Sequence, residues 1–318
     1  MKLSERNAML AWVTSYLVVM VGGIACSAQA AEPDIVFATD RRGELEIWKM
    51  AGDGSSPKAL TDHTKVPRRE YWPSASPDGR KIAFATYRFG GWKLGTLKNS
   101  QVSRLTDFGR YRGRLYEASP NWSPNGRLVT FLQYHYQPGL YLMDMITGSS
   151  RKLRAEPRYY DFLFPAFTPD SQSILYADRV GGNYDIVKTS ITTGASEKLA
   201  SNSYDELAPS LSPDGSKLAL FSNETGLHQL YVMNIDGSEK RQLTSSDDHV
   251  RAYDIEEDRG WYISTPRWSD DGTALLHAAS YDGNIDLYLT PIDGTDPKRL
   301  TTQPGMDIHA SWIARNQK

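Results

Sequence analysis

The chain has 318 residues, a formal net charge of −2 at pH 7 and 40% hydrophobic residues. The near-neutral balance excludes a strongly basic surface for nucleic acid or anionic membranes, and the single cysteine excludes a disulfide framework or a thiolate metal cluster. Aromatic residues reach 11%, alongside 25 glycines and 17 prolines, which is typical of many short strands joined by turns.

The N-terminal residues 1–30 have the pattern of a signal peptide. Basic residues precede an apolar stretch at 9–25, and small residues form an A-x-A cleavage site at 28–30. We therefore expect residues 31–318 to be exported as one domain, with no membrane span after cleavage. Two alternatives stay open: the apolar stretch is an uncleaved anchor, or Cys26 is acylated as in a lipoprotein.

A short pattern then recurs through the rest of the chain: Pro, any residue, an apolar residue, Ser or Thr, Pro or Asp, Asp or Asn, and Gly or Ser. Its copies span residues 73–79, 120–126, 165–171, 209–215 and 266–272, with a degenerate copy at 310–312. The period is about 45 residues, and one interval is about a dozen residues longer.

Each copy leads into the same order of predicted strands. A β-prone run follows the turn, at residues 81–87, 128–134, 173–178, 217–222 and 274–280. A second run follows in several repeats, at 139–143, 229–233 and 286–289, and a short strand then ends in Leu-Thr at 60–61, 105–106, 243–244 and 300–301. The Asp-Gly turns and the alternation of apolar residues predict antiparallel meanders.

Four short strands in each period predict an all-β fold, a six-bladed β-propeller of four-stranded antiparallel blades. The first β run, at residues 35–39, has no copy of the pattern before it, and the end of the chain, at 307–313, has one with nothing after it. We expect the C-terminal strand to join the N-terminal blade and close the ring, which removes exposed sheet edges. Seven blades is the main alternative.

These repeats, from residue 35 to 312, resemble the TolB-like periplasmic β-propellers, a WD-like repeat family, most clearly at 203–215 and 121–127. The resemblance implies a periplasmic location and an envelope partner such as a peptidoglycan-associated lipoprotein. That family also carries an α/β domain before its propeller, which we expect this chain to lack. The resemblance is weaker to prolyl-peptidase-type propellers and oligogalacturonate lyases.

The candidate site is predicted from one position of the repeat, three residues before its proline. At this position we expect an innermost strand to meet the mouth of the channel. These residues are Glu70, Glu117, Phe162, Glu206, Ile263 and, in the last copy, Asp307. Asp161 and Asp205 lie one position earlier in their repeats. Carboxylates that converge in one funnel repel each other unless a cation or a basic partner neutralises them.

We therefore predict a contact ring for a protein partner, made of Glu70, Glu117, Asp161, Glu206, Asp307 and His309. If a cation is bound, Ca²⁺ suits the oxygen ligands of Glu70, Glu117, Glu206 and Asp307, and no other cofactor is expected. The alternatives are that these acids bond to backbone amides of neighbouring blades or face a water-filled funnel.

Two loop features are predicted on the same face: an acidic insertion at 245–261 and an aromatic and basic cluster at 110–116 and 158–160.

The chain has no nucleophile elbow, zinc-protease motif or P-loop, and its histidines do not recur at one blade position. We expect a monomeric, non-catalytic binding protein. The alternative is a carbohydrate-active enzyme or sugar-binding propeller, in which the aromatic and basic loops stack on sugar rings or a carboxylate pair acts on a glycosidic bond.

Overall fold

A computed structural model describes residues 32–62, 69–106, 116–134, 137–155, 162–180, 182–200, 202–245, 265–280 and 283–314. Within these ranges the regular structure consists of 24 strands in six four-stranded antiparallel sheets. The predicted all-β, six-bladed β-propeller is confirmed. Among the same residues, none lies in a helix long and apolar enough to cross a membrane.

The strands of the first three blades follow one another along the chain. They are β1 (Asp34–Thr39), β2 (Glu46–Met50), β3 (Lys58–Ala59), β4 (Glu70–Ala75), β5 (Ile82–Thr86), β6 (Lys93–Lys98), β7 (Gln101–Arg104), β8 (Tyr116–Trp122), β9 (Leu128–Tyr134), β10 (Gly139–Asp144) and β11 (Ser150–Ala155).

The remaining strands form the last three blades in the same order, except that the last of them belongs to the first blade. They comprise β12 (Phe162–Phe167), β13 (Ser173–Val180), β14 (Asn183–Ser190), β15 (Ser196–Ala200), β16 (Glu206–Leu211), β17 (Lys217–Ser222), β18 (Gln229–Asn234), β19 (Arg241–Gln242), β20 (Arg267–Trp268), β21 (Ala274–Ala279), β22 (Asp286–Pro291), β23 (Lys298–Arg299) and β24 (Asp307–Ile313).

The ring is closed by β24, which pairs antiparallel with β1 and occupies the innermost position of the first blade. Next to this pair, the Met306 amide donates to the Asp40 carboxylate at 2.6 Å, and the Asp40 amide donates to the Met306 carbonyl at 3.3 Å. The first blade is thus built from both ends of the propeller, and the predicted closure by the C-terminal strand is confirmed.

The strand register defines the two rims of the propeller. In the second blade, Glu70 pairs with Thr86 and Thr86 with Lys93, so the first strand begins where the second ends and the third begins. We call this edge the mouth rim. The opposite edge, which carries the turns that follow each repeat's proline, is the turn rim.

Second strands are mostly apolar and largely buried because neighbouring blades cover both of their faces. All five residues of β5 are buried, as are five of the six in β17. Strands covered on both faces read as continuous apolar runs rather than as alternating ones. The core therefore lies between blades, for example where Leu207 and Trp268 of adjacent innermost strands belong to one buried cluster.

The repeated turn is held by its own side chains. In the second blade the Ser76 hydroxyl donates to Asp78 at 2.6 Å and accepts from the Lys81 amide at 2.9 Å, while Gly79 takes a φ of 65°. The same arrangement in the fifth blade lowers the pKa of Asp214 to about 2, because the Ser212 hydroxyl and the Ser216 amide and hydroxyl donate to its carboxylate. The repeat thus sets the start of each second strand.

The packing of the closing strand gives a stability prediction. Ile308 of β24 is fully buried in the core, so Ile308→Ala should lower the free energy of unfolding by about 2–5 kcal/mol, measured by urea denaturation. Ile146→Ala is the control, because Ile146 is 79% exposed and its truncation should change stability by less than about 0.5 kcal/mol. Equal losses in the two variants would contradict the packing of β24 in the first blade.

Candidate functional site

The four predicted carboxylates all begin innermost strands at the mouth rim. Glu70, Glu206 and Asp307 are the first residues of β4, β16 and β24, and Glu117 is the second residue of β8. All four have 0% exposure. Asp161 lies outside the described residues.

Three of these carboxylates are bound by cations of the same chain. Arg41 donates from Nη2 to both oxygens of Asp307, at 2.7 and 2.8 Å. Arg88 donates from Nε to Glu70 at 2.5 Å. Lys240 donates from Nζ to Glu206 at 3.2 Å, although burial still raises the pKa of that carboxyl. A buried charge needs such a partner, since an uncompensated one costs several kcal/mol.

Glu117 is bound by hydrogen-bond donors of the preceding blade. The Leu94 amide donates to its Oε2 at 2.9 Å, and the Thr106 hydroxyl donates to the same oxygen. Burial raises the pKa of Glu117 above its usual value. Asp205 plays a similar part, since its Oδ1 accepts from the Tyr184 amide of the preceding blade at 2.9 Å.

The predicted contact ring lies in buried positions, and its contact with a partner stays a prediction. Its four described carboxylates are buried, and each accepts from this chain's own cations, hydroxyls or amides, although Glu117 Oε1 and Glu206 Oε2 are buried without a hydrogen-bond partner among the described residues. The alternative of bonds to backbone amides of neighbouring blades describes Glu117 and Asp205. Within the described ranges, no three His, Cys, Asp or Glu side chains come together as a metal site, and the bound Ca²⁺ stays a prediction.

The channel itself is lined by a bulge in the innermost strands, which sequence reasoning missed. The residue before the repeat's proline has a positive φ of 50–54° at Trp72, Ser119, Phe164 and Ala208, and His309 at the same place in β24 has 56°. Trp72, Ser119, Phe164 and His309 line a cavity of about 30 Å³. In the sequence, the position of the bulge is marked by the proline that directly follows it in five copies of the repeat.

His309, predicted as a contact residue, lies in this lining. It is 2% exposed, and its ring centroid lies 5.1 Å from that of Trp72 and 5.9 Å from that of Tyr71. The structure thus separates His309, which lines the channel, from the carboxylates, which bind to neighbouring strands and loops.

One charged residue of the channel was missed altogether. The residues that follow the proline position in the six copies are Ser74, Asn121, Ala166, Ser210, Arg267 and Ser311. Arg267 also lines the cavity, and burial lowers the pKa of its guanidinium to about 10. The sequence could have revealed Arg267, because every other copy of the repeat has an uncharged residue at this position.

A chain of aromatic rings runs along the mouth rim of the second and third blades. Its members run from Tyr71 through Trp92 and Tyr116 to Tyr134, with Tyr87 as a side branch on Trp92, and the centroids of contacting rings lie 5.2–5.8 Å apart. This spacing is typical of aromatic pairs that attract each other. We call it the aromatic chain. Of the predicted aromatic and basic cluster, Tyr116 belongs to it, while residues 110–115, 158–160 and most of the acidic insertion lie outside the described residues.

Comparisons with known proteins confirm the resemblance to TolB-like propellers. The family described as TolB beta propeller domain matches residues 157–256. A TolB homolog of Chlorobium luteolum is 29% identical over 163 residues, which cover 51% of this chain and 35% of that protein. The crystal structure of TolB from Acinetobacter baumannii has a TM-score of 0.72 at 19% identity, covering 89% of this chain and 67% of that one.

The similarity also extends to an enzyme. Dipeptidyl-peptidase 5 of Porphyromonas endodontalis is 25% identical over 264 residues, which cover 64% of this chain and 37% of that protein. The chain spans about a third of the length of the curated relatives it matches. The comparisons therefore show a similarity to TolB-type propellers over part of the chain, and they assign no relative's activity to it.

The raised pKa of Glu117 predicts a dependence of stability on pH. The folded protein holds this proton more tightly than the unfolded chain, so its stabilising effect is complete at low pH and is lost as pH rises through the raised pKa. The free energy of unfolding of Glu117→Gln minus that of the wild type should therefore increase between pH 4 and pH 8, by about 1.4 kcal/mol for each unit of pKa elevation.

Urea denaturation at a series of pH values measures this difference. Glu239→Gln is the control, since Glu239 is exposed in the turn between β18 and β19 and should show a nearly constant difference. A difference for Glu117→Gln that falls with rising pH would show that its neighbours stabilise the ionised carboxylate more than burial disfavours it.

Proposed function

We propose that this chain, a propeller of the TolB type, is an exported, non-catalytic protein of the cell envelope that binds a protein partner through its mouth rim. The similarity to TolB homologues supports the coarse role. By the same resemblance, the location is the periplasm and the partner an envelope protein such as a peptidoglycan-associated lipoprotein.

The aromatic chain is the observation that carries the choice of surface. Tyr87 is 50% exposed and branches from the aromatic chain at Trp92, against which it packs edge-on with ring centroids 5.8 Å apart. Rigid amphipathic aromatics dominate the binding energy of many protein interfaces, because they bury a large area at a small cost in conformational entropy. The acids of the same rim have 0% exposure and bond within the chain, so the proposal places the contact on the aromatic residues instead.

A second exposed apolar residue lies on the same rim. Leu227, in the connection between β17 and β18, is 51% exposed. It belongs to the fifth blade, whereas Tyr87 belongs to the second. A partner seated over the mouth of the channel would contact both, and this arrangement allows the surface to be tested at two separate points.

Truncation of the two exposed residues should weaken binding of a purified peptidoglycan-associated lipoprotein. We expect Tyr87→Ala with Leu227→Ala to raise the Kd at least tenfold in a calorimetric titration, without loss of thermal stability. Ile146→Ala is the matched control, because this exposed residue lies in the turn after β10 at the opposite rim and should leave the Kd unchanged. Equal Kd values for all three proteins would rule out the mouth rim as the binding surface.

Export has its own test. If residues 1–30 are a cleaved signal peptide, intact-mass and N-terminal analysis of the protein recovered from the envelope should give a chain that begins at Ala31. A chain that starts at an acylated Cys26 would instead establish a lipoprotein, and an intact Met1 with membrane association would establish an anchor.

A further inference from the structure

We infer that the central channel contains a binding site for a carboxylate group, with Arg267 as its cationic ligand. This site is distinct from the partner surface at the mouth rim and does not depend on it. The sequence predicted an acid ring at the channel mouth, which would favour a cation as the ligand. The structure instead places the positively charged Arg267 on the channel lining, which favours an anion.

The first step of the argument is the position of Arg267. It lies four residues further along its innermost strand than the position of the mouth acids, where the other five copies of the repeat carry Ser, Asn or Ala. Its backbone carbonyl accepts from the indole of Trp312 at 3.4 Å, so the strand is held between neighbouring blades. The guanidinium is therefore attached to a rigid element rather than to a loop.

The second step is that the cation has no anionic partner among the residues that the structure describes. Its Nε is buried and donates to no acceptor there. The acids of the mouth rim are bound elsewhere: Asp307 to Arg41, Glu70 to Arg88 and Glu206 to Lys240. Burial lowers the pKa of Arg267 to about 10, so the group still carries its charge at neutral pH. Arg267 as a whole is half-buried. A charge that is partly removed from water and lacks a counterion is unfavourable, and an incoming anion would relieve this.

The third step is the shape and chemistry of the cavity. Its volume of about 30 Å³ accommodates a group of a few atoms. Trp72 and Phe164 supply apolar walls, and Ser119 supplies a hydroxyl to the same lining. A planar carboxylate matches the guanidinium fork, which can donate two parallel hydrogen bonds to its two oxygens.

Sodium formate is the probe for the site, titrated calorimetrically into the protein as recovered from the envelope in chloride buffer of constant ionic strength. The wild type should bind formate, and Arg267→Gln should raise the Kd about tenfold or more through the loss of a charged hydrogen-bond donor. Arg80→Gln removes the same charge from an exposed residue of the turn rim and should bind like the wild type. Undetectable binding to the wild type, or equal binding to Arg267→Gln, would overturn the inference.

Unfolding by urea without formate separates a ligand site from a structural role. Because Arg267 lacks a counterion, Arg267→Gln should be at least as stable as the wild type, and added formate should stabilise only proteins that retain Arg267. A marked loss of stability in Arg267→Gln would show instead that the guanidinium is a structural group, and would overturn the inference.

The carboxylate could come from a free small acid or from the end of a peptide. Triglycine and triglycine amide distinguish these sources. If triglycine binds more tightly than formate and its amide does not bind, the site receives a chain terminus. Binding of formate alone assigns the site to a free acid.

Discussion

The burial of each second strand between two neighbouring blades is the constraint on which the rest of the structure depends. A strand such as β5, buried along its whole length, is stable only when a blade lies on either side of it. Six blades satisfy this condition only if the ring closes, and the pairing of β24 with β1 closes it. The bidentate contact of Arg41 with Asp307 and the bonds between Asp40 and Met306 all lie at this junction. Charge and backbone pairing thus stabilise the same point of the ring.

The fold could be predicted because the sequence of each repeat contains both the order of its strands and the residues that form its turn. The predicted strand at 217–222 coincides with β17, since Ser212 and Asp214 determine where the chain turns and where the strand begins. The outermost strands were harder to foresee. β3, β19 and β23 contain only two residues each, and the nearby Leu-Thr sequence was their signal. In the first blade that threonine, Thr61, accepts from the Ile47 amide at 3.0 Å, which ties the outer strand to the third.

The candidate site was predicted less well, because repeat spacing gives a residue's place along a strand but not the direction or the partner of its side chain. Asp307 and Arg41 are 266 positions apart, and only the closed ring brings them together. Lys240 reaches Glu206 from beyond the third strand of the same blade, while its ammonium lies 4.9 Å from the ring centroid of Tyr231. Nothing in the one-dimensional pattern marks these cations as partners. Arg267 could have been found, since it alone is charged at its repeat position.

These pairings change the electrostatics of the whole channel. Four open carboxylates would have raised the energy of any anion that approached the mouth, and would have favoured a cation in the channel. With Asp307, Glu70 and Glu206 bound to Arg41, Arg88 and Lys240, the mouth presents paired charges whose fields largely cancel at a distance. Among the described residues that line the cavity, Arg267 is the only Lys, Arg, Asp or Glu, and its surroundings screen its charge less than water would. The pairing that stabilises the ring is thus also the reason why the channel favours an anion.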